Sequence, residues 1–228
     1  MPIFVPLLKS PIKRHMNLNE PFVITLSREI GSGGHTIGRI LAEKLNVRYS
    51  DRDIIKNLEK KFGLTADAIE KLKSQKKNWL ADFVQFVTPM PSASYLGAGS
   101  GADDGTDVEV TTGEIYRAEA EIIRELANEG SCVIAGRSGF HILKDHPNHL
   151  RVFITASKAG RVRRVIRKQG LDEAAAVKLV ERIDRARELY IRQYTGNNRY
   201  DARNYDLVIS SDGHTEAQIA DIILSYIG

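Results

Sequence analysis

The chain has 228 residues, 42% of them apolar and 27% charged, enough to bury a full core in one α/β domain carrying an insertion. Its single cysteine, Cys132, excludes an internal disulfide and a cysteine-based metal site. No apolar run approaches the roughly 20 residues of a membrane span, so a membrane is not an expected partner. Net charge is +4, but the basic residues are uneven: Arg161 to Arg203 holds ten arginines and two lysines. That concentration points to anionic partners, either phosphate esters or nucleic acid.

Residues 1–20 form an irregular lead-in with Pro2, Pro6 and Pro11. The short apolar patch Ile3 to Leu8 reads as part of a surface arm over 1–21 rather than a signal peptide, and the chain reads as cytoplasmic. Residues 22–228 are expected to form one domain. Phe22 to Leu26 (FVITL) predicts a buried strand. A loop with Gly31, Ser32, Gly33 and Gly34 follows, and Ile37, Ile40, Leu41 and Leu45 predict a helix from about Thr36. Strand, glycine loop and helix is the layout in which backbone N–H groups converge on an anion. The usual phosphate-loop spacing is G-x-x-x-x-G-K-[ST]. Gly33 fits the second glycine, but Gly34 occupies the lysine position and Arg28 the first glycine position. Arg28 or His35 is then the candidate for the missing positive charge, and the Thr36 hydroxyl for Mg²⁺. A glycine-rich turn without a ligand is the plainer alternative.

Asn46 to Ser50 predicts a second strand ending at Asp51. A carboxylate there either faces the ligand crevice of an open α/β sheet or caps a helix from about Ile54. Thr65 is placed to cap an amphipathic helix carrying Ile69, Leu72, Leu80, Phe83 and Val87. Pro89 to Gly113, with five glycines and two prolines, reads as a long functional or disordered loop. Together, 51–113 reads as an insertion closing over a substrate.

Thr111 and Glu114 suggest a capping box, opening a helix through Ile115, Ala118, Ile122 and Leu126 that Gly130 ends. Strand Ser131 to Ala135 leads into Gly136 and Arg137, where an arginine suits bidentate phosphate contact or an ion pair. Strand Arg151 to Thr155 leads through Ser157 into a helix with Arg161, Arg164 and Lys168 on one face. Gly170 ends it and Asp172 caps the next, whose apolar stripe is Val177, Val180, Ile183, Tyr190 and Tyr194. Arg187 interrupts that stripe, either covering it with its stem or pointing into a cleft. The two arginine-bearing helices, about 157–200, read as a hinged lid. Strand Leu207 to Ser210 and a helix over 216–227, capped by Thr215 and Gln218, complete the pattern. Five short strands interleaved with helices predict a parallel sheet covered on both faces.

These residues resemble a family. SREIGSGGHTIGRILAEKL, VIAGRSG, RVFITASKAGRVRR, ERIDRAR (181–187) and YDLVIS are similar, in order and spacing, to segments of the cytidylate-kinase-like proteins. These are divergent members of the P-loop nucleoside monophosphate kinase group, related to bacterial cytidylate kinases, and the resemblance covers about residues 22–227. It implies a P-loop NTPase-type five-stranded parallel sheet in the order 2-3-1-4-5, with a helical monophosphate-binding insertion and a helical lid. It implies transfer of the γ-phosphoryl of ATP to CMP or dCMP, with Mg²⁺. Under it, Gly31, Ser32, Gly33 and Gly34 hold the β-phosphate and Thr36 orients the metal. Arg161, Arg182 and Arg187 close on the transferring phosphoryl, Asp184 orients those arginines, and Arg137 grips the acceptor phosphate, with Asp51 as a further substrate contact. Ser138 stands where the family has an aspartate, and YSDRDIIK lacks the glycine-containing acceptor motif. A kinase of another small metabolite and a nucleotide sensor without turnover stay open as alternatives. A nucleic-acid module is disfavoured, because aromatic residues are sparse among the arginines.

Overall fold

The computed structural model describes residues 16–66, 68–69 and 111–228. Its strands are β1 (Val23–Arg28), β2 (Arg48–Ser50), β3 (Cys132–Ala135), β4 (His149–Thr155) and β5 (Leu207–Ser210). All pair in parallel, in the order β2-β3-β1-β4-β5. The helices are α1 (Gly34–Leu45), α2 (Arg52–Phe62), α3 (Thr112–Glu129), α4 (Gly139–Ile142), α5 (Lys158–Gln169), α6 (Glu173–Thr195) and α7 (Glu216–Ile227).

β1 is central because its apolar residues serve both sheet faces, as the two-residue period of a strand requires. Ile24 and Leu26 join Val133, Val152 and Ile154 in packing against Ile37 and Leu41 of α1 and Ile219 and Ile223 of α7. Val23, Cys132 and Ile134 face the other way, onto Ile54 and Leu58 of α2 and Ile115 and Ile123 of α3. Burial pushes the Cys132 thiol up to about 11, so it stays a protonated core group. A third cluster joins α5 and α6, which turn at Gly170 (φ 67°), through Val162, Val165, Leu179, Val180 and Ile183. Ile30, from the loop after β1, is the peg that inserts into it.

The expected caps form. Thr111 and Glu114 make a reciprocal capping box on α3, as do Thr215 and Gln218 on α7. Ser157 and Asp172 each accept from a backbone N–H of the helix they open. The helix expected after Thr65 lies outside the described residues except at its start, where the Ala68 N–H donates to the Thr65 hydroxyl at 3.2 Å. The loop expected over 89–113 also lies outside them, save its last three residues.

Several boundaries shift, and three of the shifts have a local cause. α1 opens at Gly34, two residues before Thr36, because Gly33 takes a left-handed conformation (φ 82°) that turns the chain directly into the helix. β2 begins at Arg48 rather than Asn46, since Asn46 itself is left-handed and ends α1. β4 starts at His149, because the polar His149 side chain is used internally. Its Nδ1–H donates to the Leu143 carbonyl at 2.8 Å, and Nε2 accepts from the Thr25 hydroxyl at 2.7 Å.

Candidate active site

The C-terminal ends of β1, β2 and β3 and the N-terminus of α1 converge, and the loop between β1 and α1 is braced from beneath. The Ile30 N–H donates to Asp184 of α6 at 3.1 Å, and Ser32 Oγ donates to the Glu29 carbonyl at 2.9 Å. The Gly31 carbonyl accepts from Arg164 at 2.8 Å. Gly31 has φ 80°, and a Cβ there would sit 2.6 Å from the Arg161 carbonyl, so α5 closes on the loop only because this residue is glycine.

The first intrahelical bond of α1 runs from the Ile37 N–H to the Gly33 carbonyl, which leaves the N–H groups of Gly34, His35 and Thr36 at the open helix end. No side chain caps it and no acidic residue lies in its first turn. A shallow pocket lies over it, lined by the loop, Thr36, Arg28, Glu29, Arg164, Lys168 and Arg187. Four cations around an uncapped helix N-terminus make an anion receptor.

Arg28 explains why the loop has no lysine. A Cβ on Gly34 would stand 2.6 Å from the Arg28 Cβ, and one on Gly136 would overlap the Arg28 guanidinium. The Arg28 side chain therefore runs across the sheet's end between two glycines and reaches Asp51 at 3.6 Å. A lysine at 34 and an arginine at 28 exclude one another in this geometry.

Asp51 is buried (5% exposed) and makes no cap bond to α2. Its Oδ2 lies 3.0 Å from His35 Nδ1, which also sits 3.0 Å from the Tyr49 hydroxyl. Burial alone would raise the Asp51 carboxyl, but the His35 hydrogen bond with the charges of Arg28 and Arg137 outweighs it and brings it down to about 2. The carboxylate thus stays ionised at the C-terminal end of β2; its side chain serves His35 rather than capping α2, and it does not line the pocket over α1.

The other expected site residues separate into two groups. Arg187 lines the pocket and donates to the Arg28 carbonyl at 3.2 Å, so its place in the apolar stripe serves a cleft. Arg161 does not line the pocket. It is 8% exposed, pairs with Asp184, lies 3.4 Å from Glu29 and donates to the Ile30 and Ala156 carbonyls. Its donors hold the loop, while Arg164 and Lys168, further along the same helix, present the charge to the pocket. Arg182 is exposed on α6, away from the pocket lining. Arg137 sits in a run of three left-handed residues, Gly136 (φ 77°), Arg137 (φ 53°) and Ser138 (φ 56°). Its Nη1 donates at 2.6 Å to Glu119, a fully buried carboxylate whose other oxygen accepts from the Tyr190 hydroxyl at 2.8 Å.

The sequence reading did not single out Glu119, Glu29 or Arg199. Glu119 carried a signal, being four residues from Ile115 on the buried side of α3. Arg199 carried none, because its surroundings read as a polar loop.

A model of the cytidylate kinase-like family matches residues 23–213. The chain belongs to the cytidylate kinase-like family. It is 27% identical over 204 residues to a cytidylate kinase of Methanosarcina acetivorans, covering 88% of this chain and 93% of that protein. It is 25% identical over 209 residues to a cytidylate kinase of Sulfurisphaera tokodaii, covering 90% and 94%. Among solved structures it resembles an uncharacterized protein from Eubacterium ventriosum, at 25% identity and a TM-score of 0.62, covering 90% of this chain and 98% of that one. Family and sheet order agree: this is a P-loop kinase fold.

Proposed function

We propose that the protein is an ATP-dependent nucleoside monophosphate kinase, with CMP or dCMP as acceptor. The observation that carries this reading is the uncapped N-terminus of α1 ringed by Arg28, Arg164, Lys168 and Arg187, in a chain of the cytidylate kinase-like family. Phosphoryl transfer asks mainly for positioning and charge stabilisation, and these groups supply both.

The residues present fit ATP with Mg²⁺. The loop N–H groups and the end of α1 would hold the β-phosphate, and Arg164, Lys168 and Arg187 would hold the γ-phosphoryl. No group of three or more His, Cys, Asp or Glu among the described residues forms a metal cage. The Thr36 hydroxyl would then hold Mg²⁺ together with the nucleotide's own phosphates, the usual arrangement for this ion. Bound Mg²⁺ supplies charge neutralisation on the phosphates.

Arg28 would do the work of the absent loop lysine from the opposite wall. Arg137 would meet the acceptor's phosphate, exchanging part of its hold on Glu119. Arg161 and Asp184 position the loop from behind, and the α5–α6 pair serves as the lid. A second reading, a hydroxyl-bearing metabolite as acceptor, is favoured by the ionised Asp51 beside His35, an arrangement suited to drawing a proton from a hydroxyl.

The test is ADP release from ATP and Mg²⁺ with each nucleoside monophosphate in turn, against a control without acceptor. Stimulation by CMP or dCMP is the expected result. Stimulation by none of them, with ATP still bound, would leave the hydroxyl acceptor or the sensor.

A further inference from the structure

Arg199 follows α6 in the polar segment Asn197-Asn198-Arg199-Tyr200, yet it is only 2% exposed. Its Nη2 donates to the Arg28 carbonyl at 2.7 Å. Its guanidinium carbon stands 5.9 Å from the Phe153 ring centroid and 5.2 Å from that of Tyr200. Nε and Nη1 are both buried without a hydrogen-bond partner.

Among the described residues no carboxylate pairs with Arg199. Its neighbours differ in this: Arg161 has Asp184, Arg137 has Glu119, and Arg164 has Glu216 at 3.5 Å. A buried cation with two unpartnered donor nitrogens is among the costliest arrangements a fold can hold, and aromatic faces offset only part of it. Such a group persists where a ligand completes it.

Its surroundings say what kind of ligand. Arg187 and Arg199 both donate to one acceptor, the Arg28 carbonyl, which brings two guanidinium groups together at the end of β1. Burial, with Arg28 and Arg199 nearby, brings Arg187 down to about 9 despite Asp184 and Asp51. An anion among them would remove that repulsion.

We propose that Arg199, beside Arg187 at the C-terminal end of β1, completes an anion site that takes the phosphate monoester of the acceptor. The acceptor side is favoured because Arg199 does not line the pocket over α1. Tyr200, 41% exposed and lying against the guanidinium, is the cover that moves when the phosphate enters. Naming the ligand as the acceptor rests on the proposed kinase reading, whereas the anion site itself does not.

The experiment is thermal melting of the full chain, as wild type, Arg199→Met and Arg199→Lys, with inorganic phosphate, CMP or Mg·ADP at matched ionic strength. Phosphate and CMP are expected to raise the wild-type Tm. In Arg199→Met the half-maximal phosphate concentration rises about tenfold or more, as expected for losing a charge-assisted contact, while the Mg·ADP response is unchanged. Arg199→Lys, which keeps the charge without the planar fork, falls between. No phosphate response in wild type, an equal response in wild type and Arg199→Met, or loss of the Mg·ADP response as well would each overturn the proposal. If Arg199→Met does not fold, an unchanged half-maximal phosphate concentration in Arg199→Lys overturns it. A phosphate response that depends on Arg199, without any CMP response, keeps the anion site and removes the nucleotide acceptor.

Discussion

At Gly34, the missing lysine is explained by what Arg28 occupies. Because a Cβ at 34 would meet the Arg28 Cβ at 2.6 Å, restoring the familiar sequence should harm the site. Gly34→Lys is expected to lower turnover and nucleotide affinity, and Arg28→Gly in the same chain, which removes the clashing Cβ, should recover part of the loss in nucleotide affinity. A double-mutant cycle on ADP binding reads the coupling directly. Turnover that rises in Gly34→Lys alone would show that the two side chains coexist. The chemistry of this exchange was legible in the sequence, since a lysine position held by glycine and a glycine position held by arginine sit six residues apart. Its steric cause was not, because it depends on how the folded loop lays the Arg28 side chain against Gly34 in space. Arg161 shows the opposite limit: one arginine among several on a helix is assigned by what surrounds it in space, and Asp184 claims this one.

Among the elements, strands and caps were read well because their signals are local. β5 and the capping boxes of α3 and α7 lie where sequence placed them. The short α4 and the turn at Ala202–Asn204 were not foreseen, having too few residues to show a period. The α5–α6 pair is tied to the loop by one residue above all. Asp184, 7% exposed, accepts from the Ile30 N–H, pairs with Arg161 and lies 4.0 Å from Arg187. Asp184→Ala leaves Arg161 with the more distant Glu29 and frees a buried N–H. The expected loss is about 3–5 kcal/mol of folding stability, the usual result of breaking a buried pair from one side. Urea unfolding measures it, and a loss below about 1 kcal/mol would mean that Asp184 does not hold the loop.

For the whole molecule, pH is informative through His149. Burial lowers its imidazole to about 4, against about 6.5 in an unfolded chain. Between those values the unfolded state binds the extra proton, so stability is fully present above about pH 6.5 and falls as pH drops towards 4. The limiting slope is about 1.4 kcal/mol per pH unit. Urea midpoints across that range should fall in wild type and much less in His149→Gln; equal slopes would place the sensitivity elsewhere. The fold was the most legible level of all, because five apolar strands joined by crossover helices leave few arrangements that bury both sheet faces.

The reaction itself is tested most directly by following the label of [γ-³²P]ATP with Mg²⁺ and CMP, for wild type and Arg28→Ala side by side. Label moving onto the nucleotide in wild type, and about a hundredfold more slowly in Arg28→Ala, is the predicted result for a transition-state cation held at the end of β1. Label that stays on ATP or passes only to water in wild type, or that reaches CMP equally fast in both proteins, would contradict it.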